Sequence, residues 1–597
     1  MPRSTLVLTA ALLTSMLIGS PELGAQRLQN PGFENGGKAG APVGWFRVGD
    51  PGYGISVDRT VFREGGASVR IEGGSGGFGG LGQRLAVGPF RGHGVVLEGF
   101  IRTADVQGRA GLWLRVDGSG QTISLDNMSD RAPSGSGDWR AFEIRMPVPT
   151  AADQIILGVL QTGSGTSWFD GLTVSVDSTV TAPEWEPKPL EPPDSTLPDE
   201  NPEWVEQARR TAFPIRSLDD DDVSDLAFLP DLIGDRRVVQ LGESGHGVSE
   251  FDRAKVRLIR FLHEEMGFDV VAFESSLFEC WQADRGADAL SARELMESCI
   301  FGVWHTEEVR ELFRYIKKTR GTAHPLRLAG FDVQTSSRTA GTRPDFWRAL
   351  LAPVDTARAA RAARLDSTFL AIQGDAGTLA DRRDELLTSY RELESFLDRS
   401  EAPLLRAHAD SAEVVGVARR LATSTLHFIR QLTAEGVERT AARDEGMARN
   451  LDFLLTELYP DDKVVTWGHN SHLRYANQEV ETSPMRTMGS WVAETWRPRM
   501  YTVGLYMRWG RAANNSQTIY NVVASSTGSL ESILGHVGEP YLFVDLDTTG
   551  RGENGRWVRE PITTKTWGQS DVTMILSHQY DAILFIDRVN PPAYLGG

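Results

Sequence analysis

The stretch RVVQLGESGHGVSEFDRAKVRLIRFLHEEMGFDVVAFE, residues 237–274, contains two short apolar runs on either side of a segment with helical spacing. The runs 237–241 and 268–273 have the length of buried strands, and residues 249–266 place their apolar side chains three and four positions apart. This order predicts a β-α-β unit, in which the strands run parallel and the helix covers the sheet. The glycine-rich segment 242–248 then forms the turn from the first strand into the helix.

The rest of the C-terminal sequence extends this pattern. Further apolar runs of strand length occur at 326–329, 463–467, 500–506, 541–544 and 581–586. The segment from 343 to 458 is helical in pattern and rich in Ala, Arg, Leu and Glu. We therefore predict an α/β domain over residues 204–597, with a largely parallel sheet and a helical subdomain at about 343–458 inserted between two strands.

The N-terminal sequence has a different composition. Of the 61 glycines in the chain, 25 lie between residues 31 and 120, where each interior Gly would cost a helix about 1 kcal/mol. Strand-like runs recur there and beyond, at 68–71, 95–101, 111–116, 141–146 and 154–160. These features predict an all-β sandwich over residues 26–179. Residues 180–203, rich in Pro and acidic residues, are predicted to be a semi-rigid linker.

Short motifs in the predicted sandwich resemble those of jelly-roll carbohydrate-binding modules. They are LQNPGFE at 28–34, the following Gly44-Trp45, and WFDGL at 168–172. The resemblance implies binding of carbohydrate through exposed aromatic side chains, for which the candidates are Trp45, Trp113 and Trp139. The alternative is that these tryptophans fill the core of the sandwich, where aromatic residues of strands are usually packed.

Charge and targeting features limit the classes of function. The 62 Lys and Arg against 80 Asp and Glu give a net charge of −18, which argues against a nucleic-acid partner. The apolar run 6–18 after Arg3 is too short to span a bilayer and has the order of a secretory signal peptide, residues 1–25. We expect cleavage near Ala25, a periplasmic or secreted protein, and no membrane span in the mature chain.

The chain has two cysteines, Cys280 and Cys299. In an oxidising compartment they could form a disulfide worth about 3 kcal/mol, and the alternative is a pair of buried thiols. Their spacing matches no zinc-binding pattern.

Ionisable side chains follow four of the predicted strands of the α/β domain. They are Glu243 and His246, then Glu274, then Asp332, and finally His469 with His472. Because the carboxyl ends of parallel strands meet at one edge of a sheet, we expect these side chains to lie close together. At such a rim, burial is expected to raise the pKa of Glu274 and prepare it for proton transfer.

Four segments of this domain together resemble the signature segments of the erythromycin esterase family. They are LGESGHG at 241–247, GFDVVAFE at 267–274, WGHNSH at 467–472, and the helical Arg443-Asp444 with Met447 and Asn450. The resemblance covers about residues 212–597. It implies an α/β fold with helical additions and hydrolysis of a macrolide lactone ester, an antibiotic-resistance activity.

The resemblance also implies roles for individual residues. His246 matches the general base that activates water, and Glu243 and Glu274 match acidic residues needed for activity. His469 and His472 match the two histidines of the late motif. Lys255 matches a basic residue that stabilises an oxyanion or holds a carboxylate, and Asp332 and Arg443 are further candidates for substrate binding.

These residues favour hydrolysis of a carboxylic ester or lactone without a covalent intermediate and without a cofactor. Histidine suits the base because its ordinary pKa is near 6.5, and a neighbouring carboxylate would fix its tautomer. A second hypothesis is a hydrolase in which the same His and Glu side chains bind Zn or Mn. A third is a non-catalytic carbohydrate-binding surface protein. A serine nucleophile is disfavoured, because the GxSxG match at 73–77 lies in the β region.

Overall fold

The computed structural model describes residues 28–36, 42–50, 52–73, 77–118, 121–434, 436–476 and 486–595. The chain divides into two compact units, one ending at Lys188 and the other beginning at Pro189, inside the proline-rich segment. The predicted signal peptide, residues 1–25, lies outside the described residues.

The smaller unit is a β-sandwich. Its strands in the described residues are β1 (Phe46–Gly49), β2 (Gly54–Asp58), β3 (Ser68–Glu72), β4 (Phe78–Leu85), β5 (Gly94–Val106), β6 (Arg109–Gly118), β7 (Gln121–Asp126), β8 (Gly135–Pro147), β9 (Gln154–Thr162) and β10 (Thr166–Asp177). They form two five-stranded antiparallel sheets, in the orders β1-β4-β9-β6-β7 and β2-β3-β10-β5-β8. The predicted all-β fold of this region is therefore confirmed.

The candidate sugar-binding tryptophans are mostly packed in this unit. Trp45 is buried against Phe33, with ring centroids 5.1 Å apart. Trp113 is buried beside Ile156, and its Nε1 donates to a backbone carbonyl. The prediction that these two side chains are exposed is wrong, because the apolar faces of the strands enclose them. Trp139 is half-buried.

The larger unit is built on a mixed sheet. Its strands in the described residues are β11 (Phe213–Pro214), β12 (Val238–Leu241), β13 (Val270–Ser276), β14 (Arg327–Asp332), β15 (Val464–Trp467), β16 (Met500–Ala513), β17 (Ile519–Asn521), β18 (Tyr541–Asp545), β19 (Pro561–Thr566), β20 (Ser570–Ile575) and β21 (Ala582–Val589).

Helices surround this sheet. In the described residues they are α1 (Pro202–Thr211), α2 (Leu229–Ile233), α3 (Ser249–Met266), α4 (Leu277–Arg285), α5 (Ala292–Glu297), α6 (Glu307–Thr319), α7 (Arg343–Leu351), α8 (Thr356–Ile372), α9 (Ala376–Asp381), α10 (Arg383–Arg399), α11 (Glu401–Ala407), α12 (Glu413–Thr433), α13 (Gly436–Phe453), α14 (Asn470–Leu473), α15 (Met488–Trp496), α16 (Leu530–Gly535), α17 (Leu546–Thr549) and α18 (Leu576–Gln579).

The order and direction of the strands explain why the ionisable side chains that follow them lie at one edge of the sheet. The sheet runs β11-β18-β21-β16-β12-β15-β13-β14, and the strands from β21 to β14 pair in parallel. On the other side of β21, β18 pairs antiparallel with β21 and the edge strand β11 pairs antiparallel with β18, while β19 and β20 form a separate hairpin. A largely parallel sheet was predicted and is confirmed. The helices α7 to α13 form the helical insert between β14 and β15.

Two further features concern targeting and covalent structure. Cys280 of α4 and Cys299 are joined by a disulfide, with Cα atoms 4.2 Å apart. Across the described residues, no helix combines the length and the apolar character needed to cross a membrane.

Candidate active site

The ionisable side chains predicted at the strand ends meet at one edge of the sheet. The strands that carry them, β12, β15, β13 and β14, are consecutive neighbours, so their carboxyl ends lie side by side. Glu274 lies within β13, Asp332 ends β14, and the other four lie on the segments that follow β12 and β15. The contacts below connect all six side chains.

Glycines allow the backbone of the first motif to approach its neighbours closely. A Cβ at Gly242 would lie 2.0 Å from Asn470 Oδ1, and a Cβ at Gly247 would lie 2.2 Å from the carbonyl oxygen of Ala513. Any larger residue would push these segments apart. Gly247 also pairs with Ala513 as a β-bridge, which fixes the loop that carries His246.

Glu243 is held in place by two buried hydrogen-bond donors. Its carboxylate is fully buried and accepts from Lys255 Nζ at 2.6 Å and from Trp304 Nε1 at 3.0 Å. Lys255 is also fully buried and its ammonium donates to Glu243, and its role in substrate binding stays a prediction. It holds a carboxylate, but that carboxylate belongs to Glu243. Burial lowers the pKa of Lys255, and Glu243 opposes this shift.

His246 is hydrogen-bonded to Glu243 and is the more exposed of the two side chains. Its Nδ1 lies 2.5 Å from Glu243 Oε1, so the carboxylate holds the ring with its proton on Nδ1 and leaves Nε2 free to accept one. Its ring meets Trp304, His469 and Trp567 edge to face, with centroids 5.0 to 5.1 Å apart. Three rings thus hold the imidazole from three directions.

Glu274 is ionised, contrary to the expected pKa shift. Burial raises the pKa of its carboxyl, but His472, Arg443, His246 and the backbone N–H of His469 outweigh burial and hold that pKa well below its ordinary value. Its Oε1 accepts from Arg443 at 2.7 Å and its Oε2 from the His469 N–H at 2.8 Å. It therefore cannot act as a proton donor near neutral pH.

Arg443 connects Glu274 to Asp332. Its guanidinium donates to Asp332 Oδ2 at 2.5 Å, and Asp332 also accepts the backbone N–H groups of the turn after it. Asp332 is 1% exposed and its oxygens are engaged, and its role in substrate binding stays a prediction. Arg443 keeps part of its side chain accessible, and its role in substrate binding stays a prediction.

His472 has a carboxylate partner of its own. Its Nδ1 lies 2.9 Å from Asp444 Oδ1, while Nε2 lies 3.0 Å from Arg443 Nη1 and 3.6 Å from Glu274 Oε1. Burial acts to lower the pKa of His472, but Asp444 and Glu274 together raise it above its ordinary value. Because a guanidinium only donates, Arg443 Nη1 donates to His472 Nε2, and the ring in this arrangement carries its proton on Nδ1, toward Asp444.

His469 is held neutral. Burial and the neighbouring His246 lower its pKa well below the ordinary value. The backbone N–H of Ser471 donates to Nδ1 at 3.1 Å, which leaves the proton of the neutral ring on Nε2. No atom of the described residues accepts a hydrogen bond from that Nε2, although it is buried.

Trp567 covers the two imidazoles from the β19–β20 hairpin. Its ring stacks on His469 with centroids 5.3 Å apart, and its backbone N–H donates to the carbonyl oxygen of Ser244. It lies at a φ of 55°, in the left-handed region that bulky residues rarely adopt. These contacts hold a strained residue against the site, as is common at functional sites.

Sequence reasoning missed three of these residues. Asp444 was quoted within a motif but given no role, and only its adjacency to Arg443 pointed to it. Trp304 and Trp567 come from a loop and a hairpin without a recognisable motif, so nothing in the sequence connected them to His246.

The donor set does not fit a metal ion. The described part of the chain contains no group of three or more His, Cys, Asp or Glu side chains that could hold one. Glu243 is occupied by Lys255, and Glu274 by Arg443. Asp444 is occupied by His472. A metal would have to displace these buried partners.

Comparison with known proteins covers both units. The erythromycin esterase family matches residues 263–589, a range that begins after Glu243, His246 and Lys255. The putative hydrolase YbfO of Bacillus subtilis (strain 168) is 29% identical over 411 residues, which are 65% of this chain and 91% of that protein.

Two solved structures match parts of the chain. A mutant of the erythromycin esterase EreC in its open conformation has a TM-score of 0.52 and 16% identity, over 65% of this chain and all of that one. The xylan-binding CBM22-1 domain of Paenibacillus barcinonensis Xyn10C has 17% identity over 26% of this chain and 96% of that domain, with a TM-score of 0.21.

Proposed function

Because the chain belongs to the erythromycin esterase family, we propose that its larger unit hydrolyses a carboxylic ester or lactone with water activated by His246. The observation that carries this proposal is the pairing of two imidazoles of opposite tautomer. His246 has a free Nε2 acceptor and His469 has a free Nε2 donor, and their ring centroids are 5.1 Å apart.

His246 is the proposed general base. When Nε2 takes a proton from water, the ring becomes an imidazolium, and the Glu243 carboxylate on Nδ1 stabilises that charge. Lys255 and Trp304 keep Glu243 fixed, so no solvent has to reorganise when the charge forms. General-base catalysis of this kind contributes about 10²- to 10⁴-fold to a rate.

His469 is the proposed donor to the developing oxyanion. Its low pKa keeps the ring neutral, and its Nε2–H has no competing acceptor in the described structure. A buried donor that is already oriented stabilises negative charge more strongly than water does. Glu274 positions this ring through the backbone N–H of His469.

His472 is the proposed acid that protonates the leaving alcohol. Asp444 and Glu274 raise its pKa and Asp444 orients the ring, and Nε2 can donate a proton once Arg443 Nη1 no longer donates to it. Arg443 balances the charge of Glu274 and Asp332 beside it.

The same geometry disfavours a serine nucleophile. Ser244 is the nearest serine of the first motif, and its Oγ has no hydrogen-bond partner in the part of the chain that is described. A nucleophilic serine needs a base within hydrogen-bond reach. Direct attack by water therefore fits the contacts better than an acyl-enzyme does.

Export is part of the proposal. A disulfide such as Cys280–Cys299 persists in oxidising compartments and is rare in the cytosol. The apolar run at 6–18 agrees with this location. Quantifying free thiols in protein isolated from cell fractions tests it: thiol-free protein outside the cytosol is expected, and reduced cytosolic protein would contradict it.

An ester panel with an acid quench tests the mechanism. We expect turnover of activated aryl esters or lactones, and intact-mass spectra of protein quenched during turnover without an acyl adduct. An adduct on Ser244 would contradict direct attack by water. Failure to cleave any ester or lactone would contradict the proposed function as a whole.

A further inference from the structure

A small cavity beside His469 is a feature that the proposed chemistry does not use. Its volume is about 200 Å³, and its walls come from the segment after β15, from β16 and from the β19–β20 hairpin. Drug-sized ligands occupy pockets of roughly 300–1,000 Å³, so this one suits a single small group and not a macrolide ring.

Part of the cavity lining belongs to the proposed active site. His469 and Ser244 both line it. The Nε2 of His469 and the Oγ of Ser244 are buried and have no hydrogen-bond partner among the described residues. Since nearly all buried polar atoms of proteins are paired, these two atoms are placed to receive a ligand.

The lining of the cavity also carries positive charge. Lys565 of β19 and Arg474 both line it, and no Asp or Glu is among its described lining residues. Lys565 is 2% exposed, and the hydroxyl of Ser525, at 3.2 Å, accepts from its ammonium. In the described structure no carboxylate lies within 4.0 Å of that ammonium. The neighbouring Glu531 accepts the backbone N–H of Lys565.

Glu531 and Asp571 act on Lys565 as charges from beyond 4.0 Å, so its buried ammonium, hydrogen-bonded to a neutral hydroxyl, is only partly compensated. Removal of an ammonium from water is costly, and one hydroxyl replaces little of that hydration. In a chain with a net charge of −18, two cations on one cavity wall form a local site for an anion. Tyr506 and Tyr580 add hydroxyl groups to the same wall, and these are 3.0 Å apart.

We propose that this cavity binds a small anionic substituent of the ester substrate, with Lys565 and Arg474 holding the anion while the ester group lies at His246 and His469. The inference rests on the proposed function and adds the substrate class: esters that carry a carboxylate, sulfate or phosphate near the scissile bond. Lys565 is then a specificity-determining residue, and it takes no part in proton transfer.

Matched ester pairs test the proposal. Mono-p-nitrophenyl glutarate is compared with p-nitrophenyl valerate, which places the anion on the acyl side. The second pair, 4-acetoxybenzoate and phenyl acetate, places the anion on the alcohol side. The variants are Lys565→Met, Lys565→Arg to restore the charge, and Lys318→Met as an exposed control.

We expect wild-type kcat/KM to favour the anionic ester of one pair by at least about tenfold, the scale of a hydrogen bond to a charged group. Lys565→Met should remove that preference and leave the neutral ester within about threefold, while Lys565→Arg and Lys318→Met keep it. No anionic preference in the wild type, or an equal loss for both members of a pair in Lys565→Met, would overturn the proposal.

A binding measurement separates this inference from the proposed function. Glutarate, sulfate and inorganic phosphate are each titrated calorimetrically into wild type and Lys565→Met. Binding of at least one anion that Lys565→Met loses supports the cavity as an anion site even if no ester is cleaved. Equal binding by both proteins, or none by wild type, overturns it.

Discussion

Lys255→Met tests whether the Glu243 carboxylate is as buried, and as tightly coupled to Lys255, as its contacts indicate. The Lys255 ammonium and the Glu243 carboxylate are both 0% exposed and 2.6 Å apart. Removal of the cation leaves a carboxylate that no water reaches, with only Trp304 and His246 as partners. We expect the free energy of unfolding to fall by about 3–5 kcal/mol, the range for breaking a buried ion pair from one side.

The assay is urea unfolding followed by tryptophan fluorescence, read from the transition of the larger unit. The double variant Lys255→Met/Glu243→Gln leaves no unpaired charge, so it should lose less stability than the sum of the two single variants. Arg209→Met serves as the control, because Arg209 and Glu206 are half exposed, and its cost should stay below about 1 kcal/mol. A loss below about 1 kcal/mol in Lys255→Met, or strict additivity in the double variant, would refute the reasoning.

Three further predictions follow from the site and its surroundings. Asp444→Asn should lower the pKa of His472, seen by NMR titration of the ring, and should lower kcat; an unchanged pKa would contradict the assigned pairing. Because the folded pKa of Glu274 is depressed, its contribution to stability is present above its ordinary pKa of 4.5 and is lost as the pH falls. The wild type should therefore lose stability below about pH 4.5 more steeply than Glu274→Gln in urea titrations, and parallel curves would contradict this. The double variant Cys280→Ala/Cys299→Ala should lose about 3 kcal/mol in the same assay, and a loss near zero would contradict a stabilising disulfide.

The sequence predicted the fold and the meeting of the charged side chains for a simple reason. Parallel strands deliver their carboxyl ends to one edge, so residues that follow such strands converge, however far apart they are in the chain. Glu243 and His469 are 226 positions apart, and Asn470 donates its N–H to the carbonyl oxygen of Glu243. The strand pattern alone was sufficient to expect this.

The protonation states could not be predicted, because they depend on partners from other elements. Burial alone would raise the pKa of Glu274, and the sign reverses only because Arg443 of α13 and His472 of α14 face it. The partner of Lys255 could not be predicted for the same reason, since its helix turns the ammonium inward to Glu243.

The packing of the aromatic side chains could not be predicted from the sequence either. Trp113 of β6 lies on one of the two faces of its strand, and alternation alone did not show that it is buried there; Trp45 precedes β1, where no alternation applies. Trp567 comes from the β19–β20 hairpin, whose first strand is the fourth strand after β15 in the chain. No local sequence pattern indicates that its ring contacts His469.

The central claim is that His246 activates water, and kcat/KM of His246→Ala on an activated aryl ester tests it most directly. The control is His324→Ala, at a histidine whose side chain is 79% exposed. We predict a loss of about 10²- to 10⁴-fold for His246→Ala, with unchanged circular dichroism and unfolding midpoint, and no loss for the control. A folded His246→Ala variant that keeps kcat/KM within about tenfold of wild type would contradict the claim.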